Sequence, residues 1–558
     1  MKSGNSLSIK IAVFAGIISL LVYLKALSCG FIILDDPLYV QDNPAIRSLS
    51  LGSVFSMFTS TYVNWWMPLT WLSLAIDYHF WGLNPYGYHL TNIVLHALNT
   101  ALMVLVADEI FKISEIIPEK IDGTERCEAE NNNLHYGFSL LIAGLLWGIH
   151  PLRVESVVWV TERKDVLNGL FALGSMLCYL RYAQSNKSDI SKQWLFQYFL
   201  AFGLFCLSLM AKSVTVVIPV VFLALDWFIL ERFHGSNFRS VLIEKVPFFL
   251  VSAVMTVATI FFIGEASFLI TNENFPFSQR FVVSGNAIFE YCRLLLYPVG
   301  IVPLHLIPDP IPFTYKIKTV IVIFLTVICI YTGRKNGARI LVLLCFVLPL
   351  LPVLAFFQNG DQSFAARFTY LPSVAPCIAF AYLSLVLYRR TLKSRILLRF
   401  ALSVFIAVLI IVYIGLTQKL IPVWNNSETF WNRVVEVEPS AIALKERGCL
   451  FVQMKKYDLA VQDFSQAIKN PVAVWLPYIY NLYAFRGEAE RLAGNNENAV
   501  KDFTVAIGML PHPVYYRLRG IALKEIGRAV EAEDDFKRAG DEVGPLAWYW
   551  SKTLEYQK

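Results

Sequence analysis

Two adjacent carboxylates, Asp35 and Asp36, follow directly on the first long apolar run, in the segment FIILDDPLYVQDNP. Neighbouring carboxylates disfavour double ionisation, so one is raised towards a pKa at which it can take a proton from a hydroxyl. The competing reading is a turn, because an Asp-Pro step starts turns well. A second charged group lies in GIHPLRVESVVWVTERKDVL, where Arg153, Glu155, Glu162, Arg163, Lys164 and Asp165 fall within thirteen residues. Lys212, in LMAKSVTVVIP, and Arg367, in SFAARFTYLP, stand at the ends of other apolar runs. Arg and Lys make charge-assisted bonds to phosphate oxygens, so Arg153, Arg163, Lys164, Lys212 and Arg367 are candidate ligands of an anionic lipid phosphate. Internal ion pairs, such as Arg163 with Asp165 or Glu162, are the alternative for each. Asp77, His89, His150, Glu155 and Asp165 complete the candidate set. His89, Asn92 and His96 recur at helical spacing on one face. They lack an evident third zinc ligand, so hydrogen bonds between helices are the expected use. No metal ligand set is assigned and no cofactor is specified; the sequence leaves open whether a divalent metal assists.

The elements that must position these groups are membrane helices. Of 558 residues, 56% are hydrophobic, 14% aromatic and only 16% charged, against about 25% charged in soluble domains. This excludes a water-soluble enzyme as the main body and a disordered chain. The nine cysteines form no CxxC pair, which argues against a zinc site or a disulfide framework. A spanning helix needs roughly 20 mostly apolar residues. Eleven runs qualify: 9–28, 87–111, 136–150, 166–182, 195–211, 214–230, 246–264, 317–333, 338–357, 368–388 and 397–418. Residues 283–300 carry Glu290, Arg293 and a Pro298-Val299-Gly300 break, and read as interfacial or re-entrant. With eleven spans the basic groups at Lys2/Lys10, Arg181/Lys187/Lys192, Arg232/Arg239/Lys245, Arg334/Lys335/Arg339 and Arg389–Arg395 share one side, the cytoplasmic one. The N-terminus is then inside, and the acidic pair and the C-terminal tail are outside. The acidic loop at about 112–134 is read as a cytoplasmic connector. The run ending Ala26-Leu27-Ser28-Cys29 loosely resembles a lipoprotein leader, but it is long enough to span and is taken as the first span.

Beyond about Lys419 the chain becomes charged and amphipathic, with an internal repeat. Gly448, Phe451, Ala460, Phe464 and Ala467 recur as Gly487, Glu490, Ala499, Phe503 and Ala506, then as Gly520, Leu523, Ala532, Phe536 and Ala539. The glycine steps are 39 and 33 residues, so an insertion around 470–482 lengthens the first copy. About three copies of a tetratricopeptide-like unit are expected, the minimum for a stable stack. The expected architecture is all-α: a polytopic membrane domain over 1–418, a linker over 419–440, repeats over 441–545 and a tail over 546–558.

Together these segments resemble the GT-C glycosyltransferases, and within them the transmembrane and tetratricopeptide-repeat (TMTC-type) protein O-mannosyltransferases. The matching stretches are FIILDDPLYVQDNP, PLTWLSLAIDYHFWGLNPYGYHLTNIVLHALN, HPLRVESVVWVTERKDVL, LSLMAKSVTVVIPVVFLALDW, RFTYLPSV and WNNSETFWNRVVEVEP, followed by the repeats. The resemblance implies an inverting transfer of a sugar, typically mannose, from a polyprenyl phosphate to a Ser or Thr hydroxyl of a polypeptide outside the cytoplasm. It also implies that the acidic pair carries the base and that the repeats engage the acceptor. Lys212 is followed by Ser213, where the family more often has an acid, and the repeat array is short. The chain thus resembles a prokaryote-type member, expected in a bacterial-type cytoplasmic membrane rather than the endoplasmic reticulum. No nucleic acid is expected as a partner. The main alternative is a non-catalytic membrane scaffold that recruits partners through the repeats and has no use for Asp35 and Asp36. A transporter, the third reading, would place polar residues at the bilayer midplane.

Overall fold

The computed structural model describes residues 2–114, 126–184, 192–233, 238–265, 275–308, 310–334, 337–356, 362–390, 396–469 and 479–540. Most of the acidic loop, Lys187, Lys335, Lys393, Arg395, the core of the repeat insertion, Pro545 and the tail at 546–558 lie outside the described residues. Contacts divide the chain into two units. One comprises Met1–Ile301, Lys316–Asn359 and Phe364–Asn426; the other comprises Val302–Tyr315, Gly360–Ser363 and Ser427–Lys558.

The first unit is built from apolar helices. Seven among the described residues are long and apolar enough to cross a membrane: Ser6–Ser28, Pro85–Ile113, Val160–Gln184, Trp194–Ala211, Phe238–Phe262, Phe313–Gly333 and Leu397–Trp424. An eighth crossing would need Asn133–Gly148 and Pro151–Val158 to act together across a 48° bend. The runs expected at 214–230, 338–357 and 368–388 coincide with shorter apolar helices, Ser213–Phe228, Ala338–Val353 and Val374–Arg389. Helix Phe313–Gly333 exposes Val320, Phe324, Val327 and Tyr331, an apolar surface that only lipid or another protein would cover. Of residues 283–300, those up to Leu296 belong to the helix Phe277–Leu296, which ends before the Pro298-Val299-Gly300 break; in it Glu290 is held by Arg293 at 2.5 Å and Lys318 at 2.6 Å.

Helices Lys2–Tyr23, Pro85–Ile113, Arg126–Gly148 and Arg163–Gln184 form the centre of this unit. Small residues let them approach: a methyl group on Gly148 would stand 2.6 Å from the Thr100 hydroxyl. The expected polar face of the second span does bind helix to helix. His96 meets the Tyr370 hydroxyl at 2.8 Å and the Gly148 carbonyl at 2.7 Å, and Asn99 donates to Tyr370 and to the Val166 carbonyl.

In the second unit, six helices form three consecutive hairpins: Ala441–Gln453 with Tyr457–Lys469, Ile479–Leu492 with Asn496–Met509, and Pro513–Glu525 with Ala529–Ala539. The repeat glycines explain how each hairpin closes. A methyl group on Gly448 would meet the Phe464 ring at 2.7 Å, and one on Gly520 would meet the Phe536 ring at 2.8 Å. Beside them runs a second periodic pair that the composition did not reveal. Arg447–Asp463, Arg486–Asp502 and Arg519–Asp535 are bidentate pairs sixteen residues apart, each with a 2.7 Å contact. Each arginine also donates to the layer before it: Arg447 to Asn432 at 3.2 Å, Arg486 to Ser465 at 3.1 Å and Arg519 to Thr504 at 3.1 Å.

Asn432 belongs to the helix Ser427–Val437, whose buried Phe430, Trp431 and Val434 form an apolar stripe. The stretch expected as a linker, 419–440, is therefore folded. Its second part stands to the first hairpin as each hairpin's second helix stands to the next.

Candidate active site

The charged segment HPLRVESVVWVTERKDVL, expected as a loop between the apolar runs 136–150 and 166–182, folds into short turns. After Gly148 come the single turns Pro151–Arg153, Val154–Val158 and Val160–Glu162, before the long helix Arg163–Gln184 begins. His150 caps the first turn: its Nδ1 accepts from the Leu152 N–H at 3.1 Å, and its Nε2 meets the Leu295 carbonyl at 3.0 Å. His150 thereby shapes the break and carries no spare ring nitrogen. Irregular backbone of this kind is tolerated at a membrane only where protein or water satisfies it. Here it turns consecutive charged residues towards different neighbours.

Glu162 is the hub. It is 1% exposed, and three cations converge on its carboxylate: Lys164 at 3.3 Å, Arg367 at 3.4 Å and Lys212 at 3.5 Å. Arg367 also pairs with Glu155, whose Oε2 accepts the Arg367 backbone N–H at 3.1 Å. Lys212 also pairs with Asp165, and Asp165 accepts from the Ser156 hydroxyl at 3.1 Å. Burial lowers the Arg367 guanidinium, but Glu155 and Glu162 outweigh it and hold its pKa above the ordinary value. Aromatic rings wall the cluster: Lys164 lies 4.7 Å from the Tyr39 ring centre, and Arg367 lies 5.5 Å from Trp159.

The two acids of the first loop have different fates. Asp36 is fully buried and accepts three hydrogen bonds: from the Ile32 N–H at 2.8 Å, the Thr161 N–H at 3.0 Å and the Thr161 hydroxyl. Burial pushes its carboxyl up to about 6, against the opposing pull of those hydrogen bonds. Asp35 is half-buried, and its carboxylate makes no hydrogen bond among the described residues. Desolvation raises its pKa, Lys164 and Arg367 pull it down, Glu162 pushes it up, and the balance is a rise. Asp35 thus lies within electrostatic reach of the cation cluster with its oxygens uncommitted.

The remaining candidates separate from this cluster. Arg163, expected at a phosphate, is fully enclosed. It binds Asp77 at 2.6 Å, the Ser73 hydroxyl at 2.8 Å, the Tyr88 carbonyl at 2.8 Å and Asn92. Its expected partners were Asp165 or Glu162; the observed acid is Asp77, which also accepts from Thr91. Arg153 is also fully enclosed, donating to the Thr369 hydroxyl at 2.7 Å between the Trp147 and Tyr370 rings. It shares no ion pair with the cluster. His89 is buried on the face shared with Asn92 and His96. Among the described residues no group of three or more His, Cys, Asp or Glu is arranged to hold a metal ion. The residue that sequence reasoning missed is Thr161, whose hydroxyl and N–H fix the acidic loop. Its only signal is its place one residue before Glu162.

An uncommitted carboxylate beside preset cations suits removal of a hydroxyl proton while a phosphate departs. Comparison with known proteins points the same way. The chain is similar to Protein O-mannosyl-transferase tmtc2 of Xenopus laevis, 26% identical over 316 residues, which is 54% of this chain and 35% of that protein. It is 22% identical to human Protein O-mannosyl-transferase TMTC4 over 70% of this chain and 57% of that protein. It is 23% identical to Protein O-mannosyl-transferase Tmtc3 of Drosophila melanogaster over 80% of this chain and 54% of that protein. The chain spans between about a third and three fifths of the length of these relatives. No protein-family model matches it.

Proposed function

We propose that this chain is an integral-membrane glycosyltransferase that moves a sugar, mannose by analogy with the relatives, from a polyprenyl phosphate to a protein Ser or Thr hydroxyl. The observation that carries the reading is the uncommitted carboxylate of Asp35 within electrostatic reach of Lys164 and Arg367, two of the three cations gathered on Glu162. Asp35 takes the acceptor proton, the hydroxyl oxygen attacks the anomeric carbon, and the bond to the donor phosphate breaks with inversion. The departing phosphate gains a negative charge that Lys164, Lys212 and Arg367 offset. Lys164 is best placed to change partners, since its ammonium has three donors and, among the described residues, Glu162 as its one paired carboxylate. Asp36 acts through position, tying the loop to Thr161, and Arg163 and Arg153 hold the surrounding helices.

In this reading the shorter apolar helices also contribute crossings, making eleven, and the site and repeats face away from the cytoplasm. The positive-inside bias supports that orientation. Arg181 lies at the far end of the 22-residue helix that begins beside Glu162, and such a helix, rising about 1.5 Å per residue, crosses a bilayer. The hairpins then act as tetratricopeptide repeats that present the acceptor.

The test is transfer from polyprenyl-phosphate mannose to a Ser/Thr-rich polypeptide by the purified chain in nanodiscs. Asp35→Asn should fold and insert yet lose transfer by roughly a hundredfold or more. Full transfer by that variant would remove Asp35 as the base, and absence of transfer by the wild type would favour the scaffold reading.

A further inference from the structure

We propose that the first outer loop contains a second ligand site, a subsite for a neutral sugar ring, separate from the cation cluster. Between the helices Leu51–Thr59 and Pro68–Trp81 lies a cavity of about 310 Å³, at the lower end of the roughly 300–1,000 Å³ typical of small-molecule sites. Three serine hydroxyls, those of Ser53, Ser56 and Ser60, line one wall, and the rings of Tyr62 and Trp71 line another. Ser53 and Ser56 lie three residues apart on one face of the helix, and Ser60 caps its C-terminal end. Leu51 and Phe55 stand elsewhere on that helix, 91% and 70% exposed, and suit contact with lipid. The helix therefore has hydroxyls for the cavity and an apolar side for the membrane surface.

The lining selects the chemistry. It contains no Asp, Glu, Lys or Arg, so a phosphate or carboxylate entering it would lose water without gaining a counter-charge. The Ser60 hydroxyl donates to the Ser56 carbonyl at 2.6 Å, the Ser56 and Ser60 hydroxyl oxygens lie 3.3 Å apart, and the Ser53 hydroxyl lies 2.9 Å from that of Ser50. A hydroxyl has one donor and two acceptor sites, so lone pairs remain for a ligand's hydroxyls. Trp71 is 1% exposed, and its indole N–H has no partner among the described residues. Tyr62 meets Trp71 edge to face, with ring centres 5.5 Å apart, which provides two amphipathic ring surfaces. A molecule with hydroxyls on its rim, an apolar face and no charge fits all of these features, and a sugar ring is such a molecule.

The site is close to the proposed chemistry but distinct from it. Trp71 lies 5.0 Å from Tyr39, and Tyr39 lies 4.7 Å from the Lys164 ammonium. One aromatic layer therefore separates the cavity from the cation cluster. Binding is measurable without any transfer, so the proposal does not depend on the transferase reading.

Ligand-observed saturation-transfer NMR on the full chain in nanodiscs tests it, with methyl α-mannopyranoside as the neutral probe and glucuronate as the charged one. A side chain at Gly52 would meet no atom within 4 Å of its first carbon, so Gly52→Phe adds bulk at the cavity wall without displacing the core. Ser53→Ala with Ser56→Ala removes two hydroxyls from an exposed helix. The wild type and Asp35→Asn should both give a glycoside signal. That signal should fall at least fivefold in Gly52→Phe and in the double serine variant, each with an unchanged melting temperature, and glucuronate should give none. An absent wild-type signal, an unchanged signal in Gly52→Phe, loss in Asp35→Asn, or equal binding of glucuronate would each overturn the subsite.

Discussion

Thr161 donates both its backbone N–H and its hydroxyl to one oxygen of Asp36, across 125 residues of chain. That double bond to a single oxygen ties the loop bearing the acidic pair to the turn that precedes the cation cluster. It also assigns different work to two neighbouring carboxylates: Asp36 sets position, and Asp35 is left to react.

Asp36 should leave a signature in the pH dependence of stability. Its carboxyl is raised from 3.8 to about 6 in the folded chain, so between those values the folded state holds a proton that the unfolded state has lost. Its contribution is fully present below the lower value and is lost as pH rises through the upper one, by at most about 3 kcal/mol. Melting curves from pH 4 to 7 should show the Asp36→Asn variant losing less stability over that range than the wild type. Parallel pH profiles would refute this role. Asp36→Ala, which leaves the Ile32 and Thr161 donors unpaired in a buried site, should cost roughly 2–4 kcal/mol.

Lys164 and Arg163 are adjacent yet should behave oppositely. Lys164→Gln keeps the fold and should raise the donor KM about tenfold, the scale of one charge-assisted bond of about 1.5 kcal/mol. Steady-state kinetics at varied donor concentration would show it, and an unchanged KM would remove Lys164 from the phosphate site.

Arg163→Met should act on stability. It strands the buried carboxylate of Asp77, a change worth about 3–5 kcal/mol when one partner of a buried pair is lost. Adding Asp77→Asn should restore part of the loss in thermal unfolding. If the double variant melted below the single one, the two side chains would not act as a pair.

In the repeats, a double-mutant cycle on Arg486 and Asp502 should give a coupling of about 1–2 kcal/mol, because the pair is bidentate and half-buried. Chemical denaturation of the four proteins measures it. A coupling near zero would reduce the recurring clamp to a surface pair.

The sequence made the materials of the site legible and left its geometry hidden. Apolar runs mark the membrane helices because a spanning helix must be apolar along its length. The double acid, the charged turn, Lys212 and Arg367 were visible as charges at the ends of such runs. Which of Arg163 and Lys164 faces the cluster could not be read, since neighbours on a helix point about 100° apart and the helix begins between Glu162 and Arg163. Trp71 illustrates the same limit. Tryptophans of membrane proteins gather at lipid headgroups, yet this one is enclosed against Tyr39 and Tyr62. The arginine–aspartate clamps were legible in principle. Arg stands one residue before each repeat glycine and Asp one before each repeat phenylalanine, but a search for small and aromatic residues passes over them.

Because every clamp arginine also grips the layer before it, the hairpins are linked in series, with Asn432 in the helix Ser427–Val437 as the first link. Load applied at the last described hairpin would pass through Arg519, Arg486 and Arg447 in turn. The described hairpins are built to yield one rung at a time, as a zipper opens from its slider.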